Sequence, residues 1–271
     1  MQRYGRYQGA GGMKHIVMFS GGAGSWAAAR RVARQHGTED LMLLFADTMM
    51  EDEDLYRFLG EAAADVGGQF IKIAEGRDPW QVFHDRKFLG NTRADPCSYV
   101  LKRKFIRDWL EERYGPDECQ IYLGIDIEEE HRYLRAKRHW EPYSVHAPLI
   151  DSPPVFRHDV KKMMREAGIE EPRLYKLGFP HNNCGGFCVK AGISHFAHLL
   201  KMMPERYAYH EQKEQEMREF LDRDISILRD REGGDVTPLT MRALRERIES
   251  EPEQIPLFEW GGCGCFSGEA P

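Results

Sequence analysis

The stretch Met13-Lys14-His15-Ile16-Val17-Met18-Phe19-Ser20-Gly21-Gly22-Ala23-Gly24-Ser25-Trp26 decides the fold. Ile16 to Phe19 is an apolar run of the length of a buried strand. It breaks into Ser20-Gly21-Gly22 and then into an alanine-rich helix that should start near Ser25. Gly21, Gly22 and Gly24 let backbone N–H groups approach a ligand closely, and Ser20 and Ser25 add hydroxyl donors. A helix starting there turns the positive end of its dipole toward the same spot, so the stretch reads as a phosphate cradle. No Gly-Lys-Ser/Thr follows, which separates it from a Walker loop. Its spacing is not Gly-x-Gly-x-x-Gly, which disfavours a dinucleotide. A glycine turn joining any strand to any helix would look similar, so the flanking chain has to decide.

Working outward, Ala28, Ala29, Val32 and Ala33 give the first helix a small-residue stripe, and Gly37 closes it. Leu41 to Phe45 is a second apolar strand ending in Ala46-Asp47-Thr48. Leu55, Phe58, Leu59, Ala62 and Val66 mark an amphipathic helix, and Gln69 to Ala74 a third strand. This alternation predicts a Rossmann-like, doubly wound, mostly parallel α/β sheet with ligands at the carboxyl ends of the strands, where Ser20 and Asp47 sit. Further on, Asp78 caps a short helix and Ser98 to Tyr114 is helical. Gln120 to Ile125 is a fourth strand, with Gly124, Asp126, Glu128, Glu129 and Arg132 at its end. A helix over Arg157 to Ala167 precedes Leu174 to Phe179, read as the last strand, and then Pro180-His181-Asn182-Asn183-Cys184-Gly185-Gly186-Phe187-Cys188. Helices follow from Ile193, from about Glu205 to Asp224, and from Thr240 to Ile248.

The 271 residues divide into a loose tail (1–12), a nucleotide-binding α/β domain (13–190) and a helical C-terminal region (191–271) whose Cys-x-Cys tail packs back on the domain. The formal net charge of −6 argues against broad coating of nucleic acid. The basic clusters Lys102, Arg103, Lys104, Arg107 and Arg135, Lys137, Arg138 read as solvated helix faces. No stretch suits a membrane span or a secretory signal, so a cytoplasmic location is expected. In such a compartment the six cysteines are metal ligands or redox groups before they are disulfides. Cys184-x₃-Cys188 and Cys263-x-Cys265 are glycine-flanked pairs suited to tetrahedral thiolate ligation of zinc or of an iron–sulfur cluster. Cys119 reads as strand packing, and Cys97 as an exposed thiol near the site.

These motifs together resemble the adenine nucleotide α-hydrolase (PP-loop) superfamily, and within it the phosphoadenosine phosphosulfate reductase-like branch. Ser20-Gly21-Gly22-x-x-Ser25 is similar to its pyrophosphate loop, and Phe45-Ala46-Asp47-Thr48 to the end of its second strand. Cys97-Ser98-Tyr99-Val100-Leu101-Lys102 resembles the Cys-x-x-x-x-Lys start of a later helix. Gly124-Ile125-Asp126 with Glu128 or Glu129 and Arg132 resembles the Gly-x-Arg-x-x-Glu…Arg loop, and Gly178…Cys184…Cys188 the cysteine segment. The likeness spans residues 13 to 200 in order.

The resemblance implies ATP or a related adenine nucleotide with its phosphates on Ser20, Gly21, Gly22, Gly24 and Ser25. Asp47 would take ribose or Mg²⁺, Lys102 and Arg132 substrate charge, and Asp126 or Glu129 metal or acid–base work. The implied reaction is cleavage of the α–β phosphate bond, activating a substrate for sulfur or nitrogen transfer. Partners of such proteins include the small-molecule nucleotide, RNA or a protein complex, with mobile-element, phage or CRISPR accessory roles, and oligomers occur. Two departures shape the expectation. Gly24 stands where the superfamily loop carries Asp, and Asp126 where an arginine would clamp a phosphosulfate. An acid there repels sulfate, and the branch's C-terminal Glu-Cys-Gly-x-His is absent, so conventional sulfate reduction is not expected. A catalytically silent nucleotide-binding module is the alternative.

Overall fold

The computed structural model describes residues 12–231, 236–250 and 260–261. In chain order the elements are β1 (Lys14–Met18), α1 (Ala23–His36), β2 (Leu41–Asp47), α2 (Glu53–Val66), β3 (Gln69–Ala74) and α3 (Pro79–Arg86). The single turn α4 (Pro96–Ser98) runs through a wider π-type stretch, Tyr99–Lys104, into α5 (Phe105–Glu111). Then come β4 (Cys119–Tyr122), α6 (Glu130–Trp140), β5 (Ser144–His146), α7 (Arg157–Glu166) and α8 (Arg173–Lys176). The C-terminal region adds α9 (Ile193–Met202), α10 (Pro204–Leu221), β6 (Leu228–Asp230), β7 (Thr237–Leu239) and α11 (Met241–Ser250).

Five strands form one parallel sheet in the order β3-β2-β1-β4-β5. Ile16 lies between Met42 and Ile121, so β1 is central. Alternation along β1 and β2 sends Val17, Leu41, Leu43 and Phe45 to one face, where Ala28, Ala29 and Val32 of α1, Leu55 and Phe58 of α2, and Val160 of α7 cover them. Ile16, Met18, Met42 and Leu44 go to the other face, against Ile106 and Leu110 of α5 and Ala136 and Trp140 of α6. Every residue of β2 is buried, as expected of a strand covered on both faces. The architecture is the doubly wound α/β sheet with appended C-terminal helices. The chain reverses its direction of build between β1 and β4, which makes that crevice the topological switch point.

Two expectations change. Leu174 to Phe179 is not a strand. Pro172 presets a helical turn by accepting from the N–H groups of Tyr175 and Lys176, and the fifth strand position is taken by Ser144–His146. Lys102 and Arg103 are not on a solvated face. Both are buried, with Arg103 donating to Asp95 (3.1 Å) and Ser98 (3.2 Å). The C-terminal helices also share a core with α3, since Trp80 and Phe83 pack with Phe187, Phe196 and Tyr207.

α10 is held by polar contacts. Its buried positions are Tyr207, His210, Glu214 and Met217. The Glu214 carboxylate accepts from the N–H groups of Ile227 (2.9 Å) and Met241 (2.6 Å), fixing the ends of the β6–β7 hairpin. His210 stacks on Phe187 at 3.7 Å and accepts from Trp80 Nε1 (3.1 Å).

Candidate functional site

α1 starts at Ala23, two residues earlier than the alanine stripe suggests, with Gly22 as its N-cap. No side chain caps this end. Ser25 Oγ donates to the Gly22 carbonyl (2.8 Å), and the Ser25 N–H turns back to the same oxygen (3.1 Å). The N–H groups of Ala23 and Gly24, the first of the helix, have no intrahelical acceptor and point with its dipole. Gly21 has φ +78°, and a Cβ there would strike Leu55, so the turn requires glycine.

Gly24 and Gly124 face each other across the switch point. A Cβ on Gly24 would lie 2.9 Å from the Gly124 carbonyl oxygen, and one on Gly124 would lie 2.5 Å from the Ser25 nitrogen. The close approach of α1 to the end of β4 therefore excludes any side chain, an aspartate included, at Gly24.

A cavity of about 1100 Å³ opens at this crevice, lined by Ser20, Gly22, Ala23, Gly24 and Ser25 on one side and by Gly124, Ile125 and Asp126 beside them. Asp126 Oδ1 caps the turn after β4 by accepting from the Glu128 N–H (3.0 Å). Burial, then the neighbouring Glu129 and Glu128, hold its carboxyl above the usual range. Arg132 lines the same wall and pairs with Glu129 (2.5 Å). His181 and Asn182 close the loop side. Asn182 Nδ2 donates to the Gly21 carbonyl (2.8 Å), while burial lowers His181 to about 4, so it is neutral at pH 7. The structure thus brings Ser20, Gly22, Gly24, Ser25, Asp126, Glu129 and Arg132 to one cavity.

Of the expected nucleotide-binding and catalytic residues, Gly21, Asp47 and Lys102 do not line this cavity. Asp47 accepts from the Met49 N–H (2.8 Å) and the Tyr56 hydroxyl (3.0 Å), pairs with Lys72 (2.7 Å), and is not on the cavity wall. Burial and the Asp47 charge raise the Tyr56 phenol, which keeps it protonated as that donor. Lys102 is buried 3.5 Å from Glu51 rather than facing the large cavity. Sequence reasoning missed Glu51, whose carboxylate accepts from Thr48 Oγ1 (2.9 Å) and from the Cys184 N–H. It lies in Met49-Met50-Glu51-Asp52-Glu53, an acidic run that reads as solvent-facing, and only the tertiary fold buries it.

Glu51 connects the loop after β2 to the cysteines. Cys97, Cys184 and Cys188 line one small cavity of about 30 Å³ together with Lys102. Cys97 is therefore not a lone exposed thiol. Cys119 is buried, and desolvation pushes its thiol up to about 12, which fits strand packing. Cys263 and Cys265, the other two expected thiolate ligands, lie outside the described residues. Among the described residues no three His, Cys, Asp or Glu side chains are grouped to hold a metal. Trp260 and Gly261 bridge back to Ala191, with the Gly192 N–H donating to the Trp260 carbonyl (3.0 Å).

No protein-family model matches the sequence, and no curated protein matches it. Among solved structures the chain is similar to an NH3-dependent NAD synthetase from Campylobacter jejuni. The two are 11% identical over 79% of this chain and 86% of that one, with a TM-score of 0.37. A superposition this loose decides nothing about activity. No helix among the described residues is long and apolar enough to cross a membrane.

Proposed function

We propose that the chain is an ATP-using enzyme that cleaves the α–β phosphate bond and transfers the resulting adenylate to an acceptor for attack by a sulfur or nitrogen nucleophile. The observation that carries this is the uncapped, glycine-faced N-terminus of α1 opening into a large cavity at the switch point between β1 and β4. Such an end favours anions through its free N–H groups and dipole. Ser20, Gly22, Ala23, Gly24 and Ser25 hold the phosphates. Asp126 and Glu129 fit Mg²⁺: burial, then the neighbouring Glu129 and Glu128, raise the Asp126 carboxyl, which would gain from a cation, and Mg²⁺ needs only one or two carboxylates beside phosphate oxygens. Asp126 and Glu129 would hold the ion, whose charge would favour departure of pyrophosphate. Arg132 adds positive charge to the same wall, while Asp47 and Lys102 act as positioning residues for the loop after β2.

A second proposal concerns Cys184, Cys188, Cys263 and Cys265 as thiolate ligands of zinc or an iron–sulfur cluster, with Cys97 as a further candidate. The bridge between Gly261 and Ala191 supports it, since Gly261 is two residues before Cys263 in sequence and Ala191 three after Cys188. Metal analysis on protein purified without oxygen checks it. About four iron with acid-labile sulfide means a cluster, about one zinc means a zinc site, and neither metal removes the proposal.

Product analysis tests the main reading. ATP with Mg²⁺ should yield AMP and pyrophosphate once the acceptor is supplied, and the chain alone should bind the nucleotide. Gly24 favours the competing reading, a silent nucleotide-binding module, because the loop has no room for a carboxylate at that position. Tight ATP binding without AMP formation under any acceptor mixture would select the module.

A further inference from the structure

The cavity is larger than one nucleotide requires, and its far wall has a different chemistry. At about 1100 Å³ it exceeds the usual span of roughly 300–1,000 Å³ for a site that takes one small ligand. The wall contributed by the C-terminal part of the chain carries Lys190, Arg229 and Arg231. Arg229 and Arg231 are two residues apart on the β6 strand and its extension, so they project to the same face. Asp230, between them, projects to the opposite face, where it pairs with Arg247 of α11. Strand alternation thus strips the acid from the cavity side and leaves two guanidinium groups there. Neither has a carboxylate partner among the described residues. Among the described residues Lys190 donates to a backbone carbonyl, that of Arg93 (3.2 Å), and to no carboxylate. Of the other cations on the cavity wall, Arg132 is paired with Glu129 and Lys161 with Glu171 (3.1 Å), while Arg135 and Arg157, like Lys190, donate to backbone carbonyls, those of His131 (3.5 Å) and Pro180 (2.7 Å).

Resting on the nucleotide reading above, we propose that Lys190, Arg229 and Arg231 bind a phosphate group on the acceptor, so that the second substrate is a small phosphate-bearing molecule. Guanidinium forks suit phosphate oxygens, and three cations confined to a cleft suit one localised anionic group. A net charge of −6 argues that the rest of the surface does not draw in a nucleic-acid polymer. The hairpin is anchored from behind by Glu214, which holds the N–H groups of Ile227 and Met241, so the cations sit on a braced element.

The test is calorimetry on the full chain saturated with α,β-methylene-ATP and Mg²⁺, titrated with ribose 5-phosphate, with ribose as the neutral control and a short single-stranded oligonucleotide as a third arm. Ribose 5-phosphate should bind saturably and ribose should not. The R229S/R231S variant should lose at least about tenfold in ribose 5-phosphate affinity, and R229K/R231K should recover part of it. The affinity for α,β-methylene-ATP should be the same in all three proteins, which also shows that the variants are folded. Failure of the methylene analogue to bind wild type would remove the nucleotide reading itself. Analogue binding with no ribose 5-phosphate binding, with equal affinity in R229S/R231S, or with binding of the oligonucleotide alone, would overturn the acceptor proposal.

Discussion

The two halves of this chain differ in what they add to an apolar core. The N-terminal half packs apolar strands between helices and lets backbones touch at Gly24 and Gly124, where no side chain fits. The C-terminal region shares an apolar core with α3 and adds buried polar contacts to it: Glu214 on two backbone N–H groups, His210 against Trp80 and Phe187, and the Tyr207 hydroxyl on the Met241 carbonyl (2.7 Å). Close backbone packing fixes the geometry of the phosphate loop, whereas the polar bracing holds the hairpin that faces it. Precision at the loop therefore depends on the absence of atoms, and placement of the hairpin on the satisfaction of hydrogen bonds.

The largest expected effect is at the glycine contact. Gly124→Ala forces a methyl into the Ser25 nitrogen and the Gly24 carbonyl carbon. It should cost about 3 kcal/mol or more and abolish nucleotide binding with it, as read by urea denaturation and ATP calorimetry. A fully stable variant would break the claim that α1 and β4 meet backbone to backbone. Next, Glu214→Ala leaves two buried N–H groups without an acceptor and should cost about 2–3 kcal/mol. Hydrogen exchange should quicken first at Ile227 and Met241 while the β1 and β2 amides stay protected. Uniform loosening of both regions would contradict the division drawn here.

A smaller effect concerns pH. Burial lowers His181 and His139 to about 4 and also lowers His195 and His210. The unfolded chain therefore binds protons first as pH falls from about 6.5 toward 4, and stability declines over that window. Glu214 works the other way. Burial raises it to about 7, so its folded form keeps a proton that the unfolded form releases above about 4.5, and its contribution falls as pH rises between those values. His15 and His146 are lowered too, so six histidines stand against the raised Glu214 and Asp126, and the melting temperature should be lower at pH 5 than at pH 7. In Glu214→Gln the drop from pH 7 to pH 5 should be larger, because the opposing slope of Glu214 is gone. A drop unchanged in that variant would show that Glu214 titrates as an ordinary carboxyl.

The same contrast explains what could be read from the sequence. β1 through β3 and their two helices announce themselves by unbroken apolar runs and by Leu55, Phe58, Leu59, Ala62 and Val66 at helical spacing. The buried face of α10 keeps helical spacing too, but with His210 and Glu214 on it, so it reads as a charged surface helix. β5, β6 and β7 have three residues each, too few to show a period. That the glycine loop, Asp126, Glu129 and Arg132 share one cavity could be expected from the sequence, because they follow strand ends directly. Glu51, the burial of Lys102 and the shared cavity of Cys97, Cys184 and Cys188 were not, since each depends on segments about 50 to 130 residues apart.

The most direct test of the central claim is ATP binding by calorimetry in Gly22→Val. Gly22 has φ −95°, a backbone conformation any residue adopts, and a Cβ there meets only the Tyr175 hydroxyl at 3.3 Å and Ser20 Oγ at 3.7 Å. The variant should fold with an unchanged circular dichroism spectrum and melting behaviour. Its branched side chain would occupy the space in front of the α1 N-terminus, so ATP affinity should fall by at least about a hundredfold. A folded Gly22→Val protein that binds ATP as the wild type does would contradict a phosphate site on this loop.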